Sequence, residues 1–241
     1  MRYEELTYPT YESPLAEAYG GRYESVFVLL HPFVEIHAEL AWKTTKQYPT
    51  DAQIVTQGSK LRWGSVAAAT GLRSSAKLNQ ALLTSIGAVA DHLRDDAARQ
   101  KLQRFLEAEA VWMPTEGRFE PLLHQDILDV FAKAGCDHLV HIPESPATCA
   151  VKQVSIPRLR SGQSAFPVLG TLAAPDASFL FTVDWDSFFT LFYGPRSLVR
   201  DIAAGAGLEG FFAAPTTEHF WFNYSMGCAT VTLSPDDWPT A

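Results

Sequence analysis

The chain has 241 residues, of which 47% are hydrophobic and 19% charged, so it has enough apolar side chains for a folded core and is not a disordered protein. It contains no run of 18 apolar residues and no apolar stretch near its start, and we expect neither a membrane-spanning helix nor a secretory signal. Its three cysteines lack CxxC spacing, which argues against a disulfide scaffold and a zinc ribbon. These features predict a cytoplasmic protein of bacterial type.

The formal net charge of −8 is unevenly distributed. Residues 60–105 hold eight Lys and Arg against three Asp, a net charge of +5, and the rest of the chain carries −13. An acidic surface repels the phosphates of nucleic acids and attracts basic protein surfaces. The charge therefore disfavours nucleic acid and predicts a basic protein partner, and it leaves the oligomeric state open.

The first half of the chain predicts mainly helices. Residues 1–24 are rich in Tyr and in turn-forming residues, which predicts an ordered arm across the surface, and residues 25–33 predict a buried strand. Thr50 and Ser65 are the predicted N-caps of the first two helices. Helices are expected over 48–58, 63–71, 75–93, 95–112 and 122–135.

The second half predicts mainly strands. Strand composition occurs over 137–142, within 145–170, and over 177–183, 208–214 and 218–224, and a helix is predicted over 195–207. We therefore expect an α+β fold in a single domain over residues 1–241. Its helical part, about 25–135, would pack on a strand-rich part with a mixed sheet, about 136–235.

Residues 65–83 have the form of a helix-turn-helix. In such a motif the side chains at the start of the second helix face the major groove of DNA. Two features oppose the motif: the spacing after Gly71 is one residue too long, and there is no second basic patch. The alternative is a helical hairpin packed in the core. The candidate DNA-contacting residues are Arg73, Ser75, Lys77, Asn79 and Gln80.

The histidines near residue 140 do not predict a metal site. His138 and His141 are three apart, a spacing that brings ligands together on a helix but sends them to opposite faces of a strand. Because residues 137–142 predict a strand, we expect the two side chains to diverge. No residue pattern in the chain indicates a cofactor.

The stretch "DWDSFFTLFYG" (184–194) allows two interpretations. On a strand, Asp184 and Asp186 share one face, and paired carboxylates can bind a hard cation or act as acid and base. Alternatively, either Asp caps a short helix over residues 187–194, which Gly194 would end. We favour the helix, because it accounts for every residue of the stretch.

A ligand pocket is predicted beside residues 208–224, where polar residues follow a Pro turn and precede aromatic residues. The same pattern is typical of a loop with a hydrogen-bonded His and a Thr cap. The candidate ligand-binding residues are Asp184, Asp186, Glu209, Thr217 and His219. Because the chain has no GxSxG, P-loop, GxGxxG or HExxH motif, the sequence favours a protein that is not an enzyme.

Several segments, in this order along residues 25–222, resemble the bacterial domain-of-unknown-function family 2711. They are "LLHPF", "YPTDAQIVTQG", "LRWGSVAAATGL", "LLTSIGAV", "DWDSFFTLFYG" and "LEGFFAAPTTEHFW". The resemblance implies a bacterial, cytoplasmic protein of one unit, from a family with no established activity, and it assigns no catalytic residue. The C-terminal part is also similar to small acidic proteins that neutralise bacterial toxins.

Three functional hypotheses follow. The leading one is a non-enzymatic acidic module that binds a basic protein partner, as toxin-immunity proteins do. The second is a small-ligand-binding protein or hydrolase-type enzyme with its pocket near residues 184–219. The third is a DNA-binding regulator that uses residues 65–83.

Overall fold

The computed structural model describes residues 2–11, 13–36, 47–145, 149–205 and 208–221, and it contains both strands and helices. The strands are β1 (Ser25–Leu30), β2 (Phe33–Ile36), β3 (Gly58–Leu61), β4 (Val111–Trp112), β5 (His138–Ile142), β6 (Lys152–Ser155), β7 (Gly170–Ala173), β8 (Leu180–Val183), β9 (Phe189–Gly194) and β10 (Gly210–Phe212). The helices are α1 (Asp51–Gln57), α2 (Trp63–Thr70), α3 (Ser75–Ile86), α4 (Asp96–Glu109), α5 (His124–Lys133), α6 (Ile156–Arg160) and α7 (Arg196–Gly205). The predicted α+β fold class is confirmed.

Seven of the described strands form the main sheet, in the order β10-β1-β9-β8-β7-β5-β6. Every neighbouring pair is antiparallel, whereas the sequence analysis expected a mixed sheet. Short connections join β7 to β8 and β8 to β9. Strands joined by a short connection run antiparallel, because a parallel pair needs a longer crossover. β1 contributes to this sheet from the N-terminal half of the chain.

The central strands of the main sheet are buried on both faces. Val26 and Val28 of β1 point to the face covered by α2, α3 and α4, and Phe27 and Leu29 point to the face covered by α5, α6 and α7. A strand that packs on both sides is apolar at consecutive positions rather than at alternating ones. The continuous apolar runs of β1, β8 and β9 therefore follow from their central place between two helical layers.

The helix predicted over residues 187–194 is wrong. Phe189–Gly194 is strand β9, and its residues are all buried between β1 and β8. Asp184 and Ser187 belong to the turn that joins β8 to β9, where the Ser187 amide donates to the Asp184 carbonyl at 3.1 Å. The apolar run was too short for its periodicity to separate a buried strand from a helix.

The helix ends partly match the prediction. Thr50 caps α1 in a capping box with Gln53, as expected. The helix that begins at Ser75 ends at Ile86 instead of Leu93, because Gly87 takes a left-handed conformation with φ of 77°. α4 ends at Glu109, and the last residues of the predicted helix over 95–112 form β4 instead.

His31 and Pro32 carry the chain from the main sheet into a second sheet, in the order β3-β2-β4. The His31 side chain is fully buried, with Nδ1 3.0 Å from the Thr115 carbonyl and Nε2 2.9 Å from the Thr190 hydroxyl. Because a carbonyl only accepts, Nδ1 carries the proton and Nε2 accepts from Thr190. The imidazole therefore links β9 of the main sheet to the loop that follows β4.

The predicted strand over 218–224 is not found as far as the structure describes it. Residues 219–221 form a turn, and residues 222–224 lie outside the described residues. Within the described ranges, no helix is both long and apolar enough to cross a membrane.

Candidate functional site

A cavity of about 290 Å³ opens where the N-terminal arm (residues 2–11 and 13–24) crosses one edge of the main sheet, and we call it the Asp184 cavity. The ends of β5 and β8 and the start of β7 meet at this edge, because neighbouring strands are antiparallel. Its lining residues are Thr7, Tyr8, Tyr11, Pro143, Glu144, Gly170, Thr171, Val183, Asp184 and Trp185. It therefore joins four separate segments of the chain.

Asp184 follows β8 directly and is only 7% exposed. The Tyr11 hydroxyl lies 3.0 Å from its Oδ1 and 2.9 Å from its Oδ2, so a single O–H donor serves both carboxylate oxygens. Burial raises the pKa of Asp184, and the hydrogen bond from Tyr11 works in the opposite direction. The carboxyl group is thus held in place by a neutral phenol.

His219 lies behind Asp184 and is 4% exposed. The Tyr8 hydroxyl is 2.8 Å from its Nδ1, and its Nε2 is 3.8 Å from Oδ2 of Asp184. The Tyr11 ring lies against the imidazole, with the two ring centroids 4.4 Å apart. This burial lowers the pKa of His219 to about 4, so the ring is neutral at neutral pH.

The neutral ring has a defined tautomer. Burial raises the pKa of Tyr8 well above its usual range, so the phenol keeps its proton, and the carboxylate of Asp184 near Nε2 favours the tautomer in which Nδ1 accepts from that phenol. Nε2 then carries the ring proton and faces Asp184. With a neutral imidazole, the 3.8 Å contact is between an N–H dipole and a carboxylate rather than an ion pair.

Backbone hydrogen bonds hold the arm on this part of the sheet. Leu15 is fully buried, its amide donates to the Thr217 carbonyl at 2.7 Å, and its carbonyl accepts from the Tyr193 hydroxyl at 3.1 Å. Thr217 is also fully buried, and its hydroxyl accepts from the Ala214 amide at 2.9 Å. Thr217 therefore stabilises the loop that carries His219 and does not line the cavity.

The structure does not bring the five predicted site residues together in one place. Asp184 and His219 lie together, whereas Asp186, two residues beyond Asp184, is not among the lining residues. Glu209 lies elsewhere: its carboxylate accepts from the amides of Trp63 and Gly64 at 2.7 and 2.9 Å. It therefore caps the N-terminus of α2, the role that the sequence analysis assigned to Ser65.

Glu209 borders a second cavity of about 260 Å³. Lys60 and Arg62 also line it, and Lys60 is paired with Asp126. Because Glu209 already binds the free amides of α2, this cavity does not offer an open helix N-terminus to an anion.

Sequence reasoning missed Tyr8, Tyr11, Glu144 and Trp185, which line the Asp184 cavity. The Tyr-rich composition of the arm was the available signal for the first two. The partners of Tyr8 and Tyr11, however, are 211 and 173 positions away in the chain.

The candidate DNA-contacting residues are largely engaged within the protein. Ser75 and Asn79 are buried, so they do not face solvent as the hypothesis requires. Lys77 pairs with Asp95, and Gln80 donates to the Leu93 carbonyl at 2.6 Å. Arg73 is exposed. DNA binding itself stays a prediction.

His138 and His141 diverge, as expected for a strand. Nδ1 of His138 lies 2.5 Å from the neighbouring Asp137, and Nε2 of His141 lies 2.9 Å from the Leu169 carbonyl. Across the described ranges, no group of three His, Cys, Asp or Glu side chains is placed to hold a metal ion.

Comparisons with known proteins show the family of the chain but assign it no function. Uncharacterized protein YwbB of Bacillus subtilis (strain 168) is 23% identical over 221 residues, which cover 88% of this chain and 96% of that protein. No solved structure matches the chain significantly. The profile of a family described as "Protein of unknown function (DUF2711)" matches residues 11–223. The chain therefore belongs to the DUF2711 family, the family that its sequence segments resemble.

Proposed function

We propose that the chain binds a small ligand in the Asp184 cavity, the second of the hypotheses drawn from the sequence. The observation that supports this proposal is the convergence of Asp184, Tyr8 and Tyr11 on one wall of a concave site. The cavity volume of about 290 Å³ lies just below the range of roughly 300–1,000 Å³ for small-molecule sites. The ligand is accordingly small.

The wall is organised before any ligand enters. Tyr11 holds both oxygens of Asp184, and Tyr8 orients His219 behind it. A ligand that meets fixed partners loses less free energy in ordering them. The shifted pKa values of Asp184 and His219 are also typical of functional sites, where burial and polar contacts coincide.

The experiment compares two neighbouring carboxylates. Asp184→Asn changes the cavity wall, whereas Asp186→Asn makes the same chemical change two residues away, outside the lining. Small molecules extracted from a bacterial lysate are added to each protein and the thermal unfolding midpoint is measured. We expect a rise for the unsubstituted protein and for Asp186→Asn, and a much smaller rise for Asp184→Asn. An extract that stabilises none of the three, or all of them equally, contradicts the proposal.

The acidic protein-binding module stays a second candidate. The side chain of Trp185 is 64% exposed, and exposed Trp residues are frequent anchors at protein interfaces. A pull-down from lysate with the unsubstituted protein and with Trp185→Ala tests this candidate. A basic protein that binds the unsubstituted protein stoichiometrically, but not Trp185→Ala, would support the protein-binding function. The toxin-immunity role, the single domain and the cytoplasmic location likewise stay predictions.

A further inference from the structure

The charged residues that line the Asp184 cavity are all acidic. Asp184 and Glu144 contribute carboxylates, and among the described lining residues none is Lys or Arg. Asp184 is almost fully buried, whereas Glu144 is exposed at the rim. The cavity therefore presents negative charge both at its wall and at its entrance.

Asp184 has no cationic partner within the described part of the chain. Its hydrogen-bond donors are the neutral phenol of Tyr11 and the backbone amides of Trp185 and Asp186, and the imidazole of His219 beside it is also neutral. A buried carboxylate without a counter-charge is costly, and a cation that enters the site reduces that cost. The wall is thus complementary to a positive charge.

Three aromatic side chains form part of the remaining lining, which we call the aromatic wall. Tyr8, Tyr11 and Trp185 all line the cavity, and the Trp185 side chain is largely exposed. The face of a Trp or Tyr ring attracts an organic cation within about 6 Å of the ring centroid. Because Tyr8 donates its own proton to His219, its oxygen keeps lone pairs that can accept from an N–H group.

We infer that the ligand of the Asp184 cavity is a small organic ammonium cation. Its N–H groups donate to Asp184, and its positive charge lies against the aromatic wall. This inference rests on the proposed function, because it names the chemical class of ligand for the same cavity.

The test uses three probes of similar size and different charge: n-butylamine, n-butanol and butyrate, at equal concentrations and neutral pH. Saturation-transfer NMR reports which of them contacts the protein. We expect binding of n-butylamine to the unsubstituted protein and to Asp186→Asn, with affinity lower by about tenfold or more for Asp184→Asn. Circular dichroism of each variant checks that it is folded.

A second experiment distinguishes a wrong ligand class from the absence of any ligand site. The lysate extract is divided on cation and anion exchangers, and each fraction is tested for thermal stabilisation, with Mg²⁺ and Ca²⁺ tested alone. Stabilisation by the cation-exchange fraction but not by the metal ions supports the inference. Stabilisation by the anionic or neutral fraction, or by a metal ion alone, overturns it while small-ligand binding stands. If no fraction or probe binds, the proposed function itself fails.

Discussion

The hydroxyl of Tyr8 lies 2.8 Å from Nδ1 of His219, 211 positions away in the chain. This contact joins the N-terminal arm to the loop after β10 and gives Nδ1 of the buried imidazole a hydrogen-bond partner. Because His219 in turn faces Asp184, one hydrogen bond orders a wall of the cavity. The arm is therefore part of the candidate site as well as a cover for the sheet.

Tyr8→Phe is expected to destabilise the protein by about 1–3 kcal/mol, because it leaves Nδ1 of the buried His219 without a donor. Urea unfolding measures the change. Tyr48→Phe is the comparison: Tyr48 is 43% exposed, and its hydroxyl donates to the Met113 carbonyl and contacts the Thr115 hydroxyl, so we expect a smaller loss. Equal losses for the two variants would contradict the structural role given to Tyr8.

Glu209→Ala is expected to cost about 2 kcal/mol, because it exposes the uncapped amides of Trp63 and Gly64 at the start of α2. Ser65→Ala should change stability by less than about 0.5 kcal/mol, since Ser65 is exposed and does not cap the helix. Chemical denaturation of both variants checks this. A larger loss of stability for Ser65→Ala than for Glu209→Ala would indicate that Ser65 caps the helix.

Gly117→Ala tests the backbone that supports Trp185. A Cβ at Gly117 would lie 1.9 Å from the Trp185 carbonyl oxygen, and the φ of 68° disfavours a side chain. Gly71 has the same φ and open space around it, so Gly71→Ala measures the conformational cost alone. We expect Gly117→Ala to be the more destabilising by about 2 kcal/mol or more in thermal unfolding. It should also weaken ligand binding, because Trp185 must move.

Stability is expected to fall as the pH drops from about 6.5 to about 4. Burial lowers the pKa of His31 and of His219 to about 4, below the value of 6.5 for a free imidazole. As the pH falls through this window, these histidines bind protons in the unfolded chain but remain neutral in the folded one. Unfolding therefore becomes more favourable. The raised pKa values of Asp184 and Glu209 act in the opposite direction at the acidic end.

His31→Gln isolates one of these contributions. The amide of Gln can donate to Thr115 and accept from Thr190 without titrating. Between neutral pH and pH 4, the lowered pKa of His31 is expected to reduce the free energy of unfolding of the unsubstituted protein by on the order of 3 kcal/mol. We expect this part of the decrease to be absent in His31→Gln. Urea unfolding at several pH values measures this, and an unchanged pH dependence would show that His31 does not contribute.

Elements with strong local signals were predicted well. Thr50 and Gln53 form the capping box of α1, and β1 was expected from its apolar composition. β9 was mistaken for a helix, because Asp184 and Asp186 have the residue types of helix caps and the apolar run that follows has no alternation. Its neighbours β1 and β8 decided that it is a strand, through hydrogen bonds that local sequence does not encode.

The candidate site could be predicted only in part. The sequence analysis grouped Asp184 with His219, and the structure brings the two side chains together, while their role in ligand binding stays a prediction. Tyr8 and Tyr11 were missed because their roles depend on where the arm crosses the sheet. Glu209 was assigned to the wrong place because its amide partners in α2 lie 146 and 145 positions away.

By itself, the sequence determined what depends on composition and on neighbouring residues: the α+β class, the acidic charge, the Thr50 cap of α1 and the family. The tertiary structure alone decided which polar side chains meet in the Asp184 cavity and which only cap a helix or close a loop. The physical reason is that hydrogen bonds and burial act over a few ångströms in space, whatever the separation along the chain. Tyr8 and His219 are near neighbours only once the sheet has formed and the arm has packed across it.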